Sequence, residues 1–205
     1  MLCNFCHAGD MTEQGLRERK KQATRAALIE AARRLGAELG PDNVRMEDIA
    51  AAAGVSARTV SNYFASKAEI ILAVGAGRAA QFAAALLARP PAEPIWAALR
   101  EVSIAQFAGA TDITRANVAA SAAAPDLHRA VEPVVAAAIA QRTGTDPERD
   151  LYPRLVAGAL IAATRVAVGF WLTSDDPAPS LADLVGAAVQ QVAAGLPDPR
   201  GGDVR

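Results

Sequence analysis

Apolar residues recur along most of the chain at steps of three and four, the spacing that places side chains on one face of a helix. Leu28, Ala32, Leu35 and Leu39 share such a face within a stretch from Arg17 to Leu39, which Gly40-Pro41-Asp42-Asn43 ends. Glu47–Ala53 reads as a short second helix, with Glu47 and Asp48 at the positive end of its dipole. Gly54-Val55-Ser56 reads as a tight turn. Ser56 is a good cap for a third helix, Ala57–Tyr63, and Ser66 for a fourth reaching about Arg89. Pro90, Pro91 and Pro94 form the clearest break. Beyond it the pattern predicts helices over 93–109, 112–123, 126–142, 149–173 and 181–195, with Pro133 expected to kink or split the 126–142 helix. About nine helices are expected, in an all-α fold.

Composition strengthens that reading. Alanine fills 50 of 205 positions and Phe, Trp and Tyr only 4%, a balance that favours helices and argues against a β-sandwich or barrel. With 52% apolar and 21% charged residues the chain is not a disordered one. Leu155–Leu172 approaches the length of a membrane span. Arg165 within it, and its many Ala and Gly, favour burial in a helical body or an oligomer interface, so no membrane partner is expected.

The net charge of −1 hides an asymmetry. Arg17–Arg34 carries seven basic residues against Glu18 and Glu30, while the segment after Ile70 is mildly acidic. A basic end on an acidic body suggests an anionic partner for the N-terminal part, a solvated helix face being the plainer alternative. Cys3 and Cys6 are the two cysteines, so no disulfide framework is expected, which suits a reducing cytosol. Cys3-Asn4-Phe5-Cys6-His7 matches the haem-attachment pattern C-x-x-C-H. Haem chemistry there needs export, and no export signal is read; no cofactor and no metal are expected.

The most informative stretch is Glu47–Lys67. Two short helices about a glycine-containing turn make a helix-turn-helix, at about 45–64. Ile49, Ala53, Val55, Val60 and Phe64 fall where such a unit buries apolar groups, and Gly54 sits where a positive φ is needed. The third helix then exposes Ala57, Arg58, Thr59, Ser61, Asn62 and Tyr63. That surface suits a major groove, where Arg pairs with guanine and Asn with adenine.

The run Arg45-Met46-Glu47-Asp48-Ile49-Ala50-Ala51-Ala52-Ala53-Gly54-Val55-Ser56, followed by Thr59, Tyr63-Phe64 and Lys67, resembles the DNA-binding domain of TetR-type regulators over roughly residues 19–75. The resemblance implies a sequence-specific transcriptional regulator, most simply a ligand-responsive repressor acting as a homodimer on a palindromic operator. It implies phosphate contacts from Ser56, Tyr63, Lys67 and Arg45, and base-edge contacts from Arg58, Thr59 and Asn62. Ser61 joins them on the groove-facing surface. Arg45 stands where many relatives have Thr, and Ser61 where many have an aromatic, so one cap and one backbone contact are not carried over.

The expected organisation is a disordered extension over 1–16, a DNA-binding domain over 17–75, a ligand-binding and dimerisation domain over 76–196 and a tail over 197–205. Ala157, Gly158, Ala159, Ala162 and Ala163, with Gly186, Ala187, Ala193 and Ala194, make two small-residue helices suited to close approach. Val185, Val189, Val192 and Leu196 add an apolar stripe. The helices over 149–173 and 181–195 are therefore expected to pair with their symmetry mates as a four-helix bundle. Phe82, Trp96, Phe107 and Trp171 are candidates to line a ligand cleft, against plain core packing as the alternative. Arg100 and Arg165 interrupt apolar faces and are candidates for a polar ligand group, against salt bridging. With few polar groups on these faces, an apolar or amphipathic effector is expected. No catalytic constellation surrounds His7 or His128, and no enzyme is expected. The rival reading is a helical small-molecule or lipid carrier whose N-terminal domain serves protein contacts.

Overall fold

The computed structural model describes residues 8–108, 114–122, 127–174 and 179–196. Their helices are α1 (Ala8–Leu39), α2 (Met46–Ala52), α3 (Ala57–Tyr63), α4 (Lys67–Ala88), α5 (Ile95–Phe107), α6 (Arg115–Ala122), α7 (Leu127–Thr143), α8 (Leu151–Thr173) and α9 (Leu181–Ala193). A 3-10 turn, Pro41–Asn43, follows α1. Among the described residues there is no strand, and the fold is all-α. Cys3, Cys6, His7 and the 197–205 tail lie outside the described residues.

Two local expectations are corrected. The first helix begins at Ala8 rather than Arg17, so residues 8–16 are helical and not a disordered extension. Gly9 and Gly15 each cost such a helix about 1 kcal/mol, but extending a helix already nucleated is far easier than starting one. Pro133 does not split α7, which runs unbroken from Leu127 to Thr143. Pro133 is exposed, so its ring sits on the outer side of the helix.

The chain divides into two compact units, one through Ile70 and one from Ile71. In the first, Leu28 and Ala31 of α1, Ile49 and Ala50 of α2, Val60 of α3, and Phe64 are buried together with Val44 and Ile70. Leu39, expected on the buried face, is half exposed at the last position of α1. Ala53 and Val55 are only partly buried. Above the Phe64 ring lies the Arg25 guanidinium, 5.0 Å from the centroid, which ties α1 to the end of α3.

The turn into α3 depends on Gly54, whose φ of 68° lies in the left-handed region that side chains with a Cβ rarely adopt. Val55 N–H donates to the Ala50 carbonyl at 2.9 Å and closes the end of α2. At its start, Arg45 has no side-chain acceptor, yet the Asp48 carboxylate accepts the Arg45 backbone N–H at 2.8 Å. The cap absent at Arg45 is thus replaced by its reciprocal half. Ser66 Oγ accepts from Glu69 N at 3.3 Å, and the Glu69 carboxylate accepts from Ala65 N at 2.7 Å, fixing the start of α4.

In the second unit the core joins Leu86, Leu99, Val102, Val135, Ile139, Val156, Leu160, Val185 and Val189. α5 and α9 approach closely at Gly186, where an added Cβ would lie 2.8 Å from Ile104 Cδ1. This corrects the α9 stripe: Val185 and Val189 have 0% exposure within one chain. They lie in the core where α9 packs against α5 and α8 of the same molecule, so they are not available to a symmetry mate. The break at Pro90-Pro91 is held from α7 by Arg142, whose side chain is 6% exposed. Its guanidinium donates to the carbonyls of Leu86 (3.2 Å), Arg89 (3.0 Å), Pro90 (2.6 Å) and Glu93 (3.1 Å). Arg115 does the same for the end of α8, donating to the carbonyls of Trp171, Leu172 and Ser174.

Two helices, α4 and α8, are long and apolar enough to cross a membrane by length and composition. One side of α8 enters the core through Pro153, Val156, Ala157, Leu160, Ala163, Ala167 and Val168. Its other side leaves Leu151 (76%), Leu155 (61%), Val166 (63%) and Phe170 (59%) exposed. Gly158, Ala162 and Gly169 fall on the same stripe and are exposed as well.

Candidate nucleic-acid interface and ligand cavity

α3 has one buried residue, Val60, which turns the rest of the helix outward. Arg58, Ser61 and Asn62 are exposed, while Thr59 and Tyr63 are half-buried. The hydroxyls on this surface already have partners. Ser56 Oγ accepts from Thr59 N at 3.1 Å and lies 2.8 Å from Thr59 Oγ1. Ser61 Oγ donates to the Ala57 carbonyl at 3.2 Å. The side chains of Arg58 and Asn62 have no hydrogen bond among the described residues, and their i, i+4 spacing puts them on one face. They are the side chains of this helix best placed to reach outward.

Beside α3, Arg45 and Ser56 are exposed and Lys67 is half-buried. Lys67 Nζ donates to the Asp42 carbonyl at 3.2 Å, joining the start of α4 to the 3-10 turn. That bond uses one of three ammonium donors. The sequence did not single out this tether, because it joins positions 25 residues apart. Arg17, Arg19, Lys20, Lys21 and Arg25 extend the exposed basic surface along α1. The eight candidate DNA-contacting residues all lie in the unit that ends at Ile70.

The second unit contains a cavity of about 270 Å³ with walls from α4, α5, α6, α7 and α8. Of the ligand-site candidates, Phe82, Phe107 and Arg165 line it. Trp96, Arg100 and Trp171 do not line it. Trp96 and Trp171 pack against the core. The Arg115 guanidinium sits 4.9 Å from the Trp171 ring centroid. Arg100 is paired with its neighbour Glu101 at 2.6 Å.

The polar lining that sequence reading missed is Arg78, Ser103, Gln106, His128 and Thr164. Ser103, Gln106 and Phe107 recur at i, i+3 and i+4 on α5, a signal that was available but is indistinguishable from an ordinary mixed face. Ser103 Oγ donates to the Leu99 carbonyl at 2.7 Å and Thr164 Oγ1 to that of Leu160 at 2.9 Å, so each satisfies its own proton and keeps acceptor capacity. Gln106 Nε2 donates to the Arg78 carbonyl at 3.2 Å and braces α5 on α4.

Comparison with known proteins agrees with this two-part reading. Residues 28–74 match the family model of bacterial regulatory proteins of the tetR family, and residues 93–197 match that of the MftR C-terminal domain. The HTH-type transcriptional regulator TcmR of Streptomyces glaucescens is 31% identical over 178 residues, covering 79% of this chain and 79% of that protein. Among solved structures the fold resembles RolR in complex with resorcinol, at 22% identity over 85% of this chain and 89% of that one, with a TM-score of 0.58. It also resembles the multidrug binding protein EbrR complexed with ethidium, at 21% identity over 82% and 98% of the two chains, with a TM-score of 0.57. A basic helix-turn-helix unit followed by a cavity-bearing helical unit, with both family models matched in that order, leads to one conclusion: the chain belongs to the tetR family of bacterial regulatory proteins.

Proposed function

We propose that the protein is a ligand-responsive repressor that works in the cytoplasm as a homodimer on a two-fold symmetric operator. The observation that carries the DNA-binding half is the Arg58–Asn62 pair, exposed on one face of α3 with no internal partner among the described residues. Arg58 suits guanine and Asn62 adenine in the major groove. Thr59 and Ser61 fill the surface between them. Lys67, Tyr63, Ser56 and Arg45 serve the phosphate backbone, which gives most of the affinity and none of the sequence preference.

The exposed stripe of Leu151, Leu155, Val166 and Phe170 supports the dimer. A contiguous apolar face on a helix whose opposite side is already in the core is a surface that a second copy covers. Here α8 supplies most of the apolar contact and α9 lies beside it. A two-fold dimer places two α3 helices for successive major grooves, about 34 Å apart.

An effector in the cavity meets Val74, Gly75, Arg78, Ala79 and Phe82 of α4, the helix that begins at Lys67. A ligand that prefers one position of α4 shifts the population of DNA-binding dimers by the ratio of its affinities for the two states. RolR with resorcinol and EbrR with ethidium, both likenesses of fold, make a small organic effector a reasonable class for this cavity.

Selection of bound duplexes from a random pool, followed by mobility shift, tests the reading. The expected result is a two-fold symmetric motif whose affinity falls steeply with salt. Arg58→Ala should flatten the preference at one position of each half-site, at a cost of about 1–3 kcal/mol on the selected sequence. Lys67→Ala should weaken selected and random duplexes alike. No preference among duplexes at low salt, or identical behaviour of the two variants, refutes the assignment.

A further inference from the structure

Among the described residues Ser103 is the one buried polar residue, at 2% exposure, and it lines the cavity from α5. The helix does not need its hydroxyl. The proton goes to the Leu99 carbonyl at 2.7 Å, an oxygen that the continuous α5 already supplies with the Ser103 backbone N–H. Alanine there would forfeit no required bond and is the better helix former. In a chain with alanine at 50 of 205 positions, a serine buried beside hydrocarbon is the costlier choice.

What the hydroxyl adds is an acceptor. With its proton committed to Leu99, the Ser103 oxygen keeps a lone pair in use by no helical bond. Gln106 stands one turn along the same face of α5 and also lines the cavity. Its Nε2 donates to the Arg78 carbonyl at 3.2 Å, which fixes the amide and leaves its carbonyl oxygen as a second acceptor. From α8, Thr164 repeats the arrangement of Ser103, its Oγ1 donating to the Leu160 carbonyl at 2.9 Å. A ligand group that donates matches such oxygens directly. One that only accepts must first draw a hydroxyl proton away from its helical carbonyl.

Around these oxygens Phe82, Phe107, Val135 and Val168 present hydrocarbon. A cavity of roughly 150 Å³ with apolar walls admits benzene, so one of about 270 Å³ has room for a body of about two fused rings. An aromatic body suits the Phe82 and Phe107 rings.

We propose that Ser103 is a specificity-determining residue of this cavity, its oxygen accepting a hydrogen bond from a hydroxyl carried by an aromatic ligand. This deepens the effector reading of the cavity and rests on it. Two probes of one shape isolate the hydroxyl: 2-naphthol and 2-methylnaphthalene, each measured by equilibrium dialysis against the full-length protein and against Ser103→Ala. Comparing the ratio of the two affinities between the proteins cancels the probes' different transfer from water. Ser103→Ala should weaken 2-naphthol about tenfold and leave 2-methylnaphthalene within about twofold. Circular dichroism checks that the variant folds, which the helix propensity of alanine favours.

An unchanged affinity ratio in Ser103→Ala, equal losses for both probes, or no binding of 2-naphthol to the wild type overturns the proposal. Release of operator DNA by 2-naphthol is measured separately. Binding that depends on Ser103 without release upholds the ligand class and refutes the effector reading. Release that survives unchanged in Ser103→Ala does the reverse, so the two fail in different assays.

Discussion

Arg142→Met removes four hydrogen bonds while keeping a long apolar stem of similar reach. The wild-type guanidinium reaches the carbonyls of Leu86, Arg89, Pro90 and Glu93 over 2.6–3.2 Å, and its side chain is 6% exposed. Leu86 lies in the last turn of α4 and Arg89 just beyond it; the Leu86 carbonyl also accepts from Arg89 N at 3.3 Å and the Pro90 carbonyl from Glu93 N at 3.1 Å, so the Arg89 and Glu93 carbonyls depend most on the guanidinium. A hydrogen bond from a charged donor contributes about 1.5–3 kcal/mol net. The four bonds come from two nitrogens and the exposed Pro90 segment regains water, so about two full bonds are lost, or about 3–5 kcal/mol. At about 3 °C per kcal/mol for a chain of this size, the melting midpoint should fall by about 10–15 °C. Thermal melts followed by circular dichroism measure it, with Arg154→Met as the control. Arg154 donates to the Pro147 carbonyl at 2.8 Å but is 54% exposed, so its loss should cost under about 1 kcal/mol. A fall of less than about 2 °C in Arg142→Met, or equal falls in both variants, refutes the view that this arginine holds the proline break closed.

Two other perturbations test separate parts of the molecule. Phe170→Asp places a charge at the C-terminal end of the exposed α8 stripe, where the phenylalanine is 59% exposed in one chain. It should turn the proposed dimer into monomer at about micromolar concentration in sedimentation velocity, and an undiminished dimer there excludes this face as the interface. Glu93 is held below the usual carboxylate range, chiefly by the hydrogen bonds from Arg89, at 2.5 and 2.6 Å, against an opposing effect of burial. Its stabilisation is therefore present above the unfolded carboxyl value and is lost as pH falls through the lower folded value. Urea midpoints should drop between about pH 5 and about pH 3 more steeply in the wild type than in Glu93→Gln, and parallel curves refute the link.

The sequence was most legible where structure is set by near neighbours. The ends of α3 follow from Ser56 as cap and from the change of pattern at Phe64, and the observed bounds, Ala57–Tyr63, are those the pattern predicts. Gly54 and Ser66 are read in the same way, through turn and cap chemistry within four residues. The helices beyond Pro94 differ from expectation by a few residues at their ends, where caps are weak: Pro94, Asp150 and Ser180 make no side-chain capping bond. What sequence could not supply was the identity of the partner across a helix face. The Val185–Val189 stripe is regular, but regularity does not say whether α5 or a second molecule covers it. The same limit separated Phe82 and Phe107, which face the cavity, from Trp96 and Trp171, which face the core.

α8 explains why this limit is severe here. Three surfaces run along one helix: Val156, Ala157 and Ala163 in the core, Ile161, Thr164, Arg165 and Val168 at the cavity, and Leu155, Val166 and Phe170 exposed. A helix with a core side, a cavity side and an exposed apolar side has little room left for charge, and its sequence looks apolar all round. The resemblance to a membrane span is a consequence of that arrangement. Arg165 stands where the cavity surface meets the exposed one, and is the one charged side chain between Leu155 and Thr173. Arg165 at the cavity is followed directly by Val166 on the exposed stripe. Cavity and stripe therefore share a rigid element, and a ligand that shifts α8 by a fraction of a turn acts on both surfaces at once.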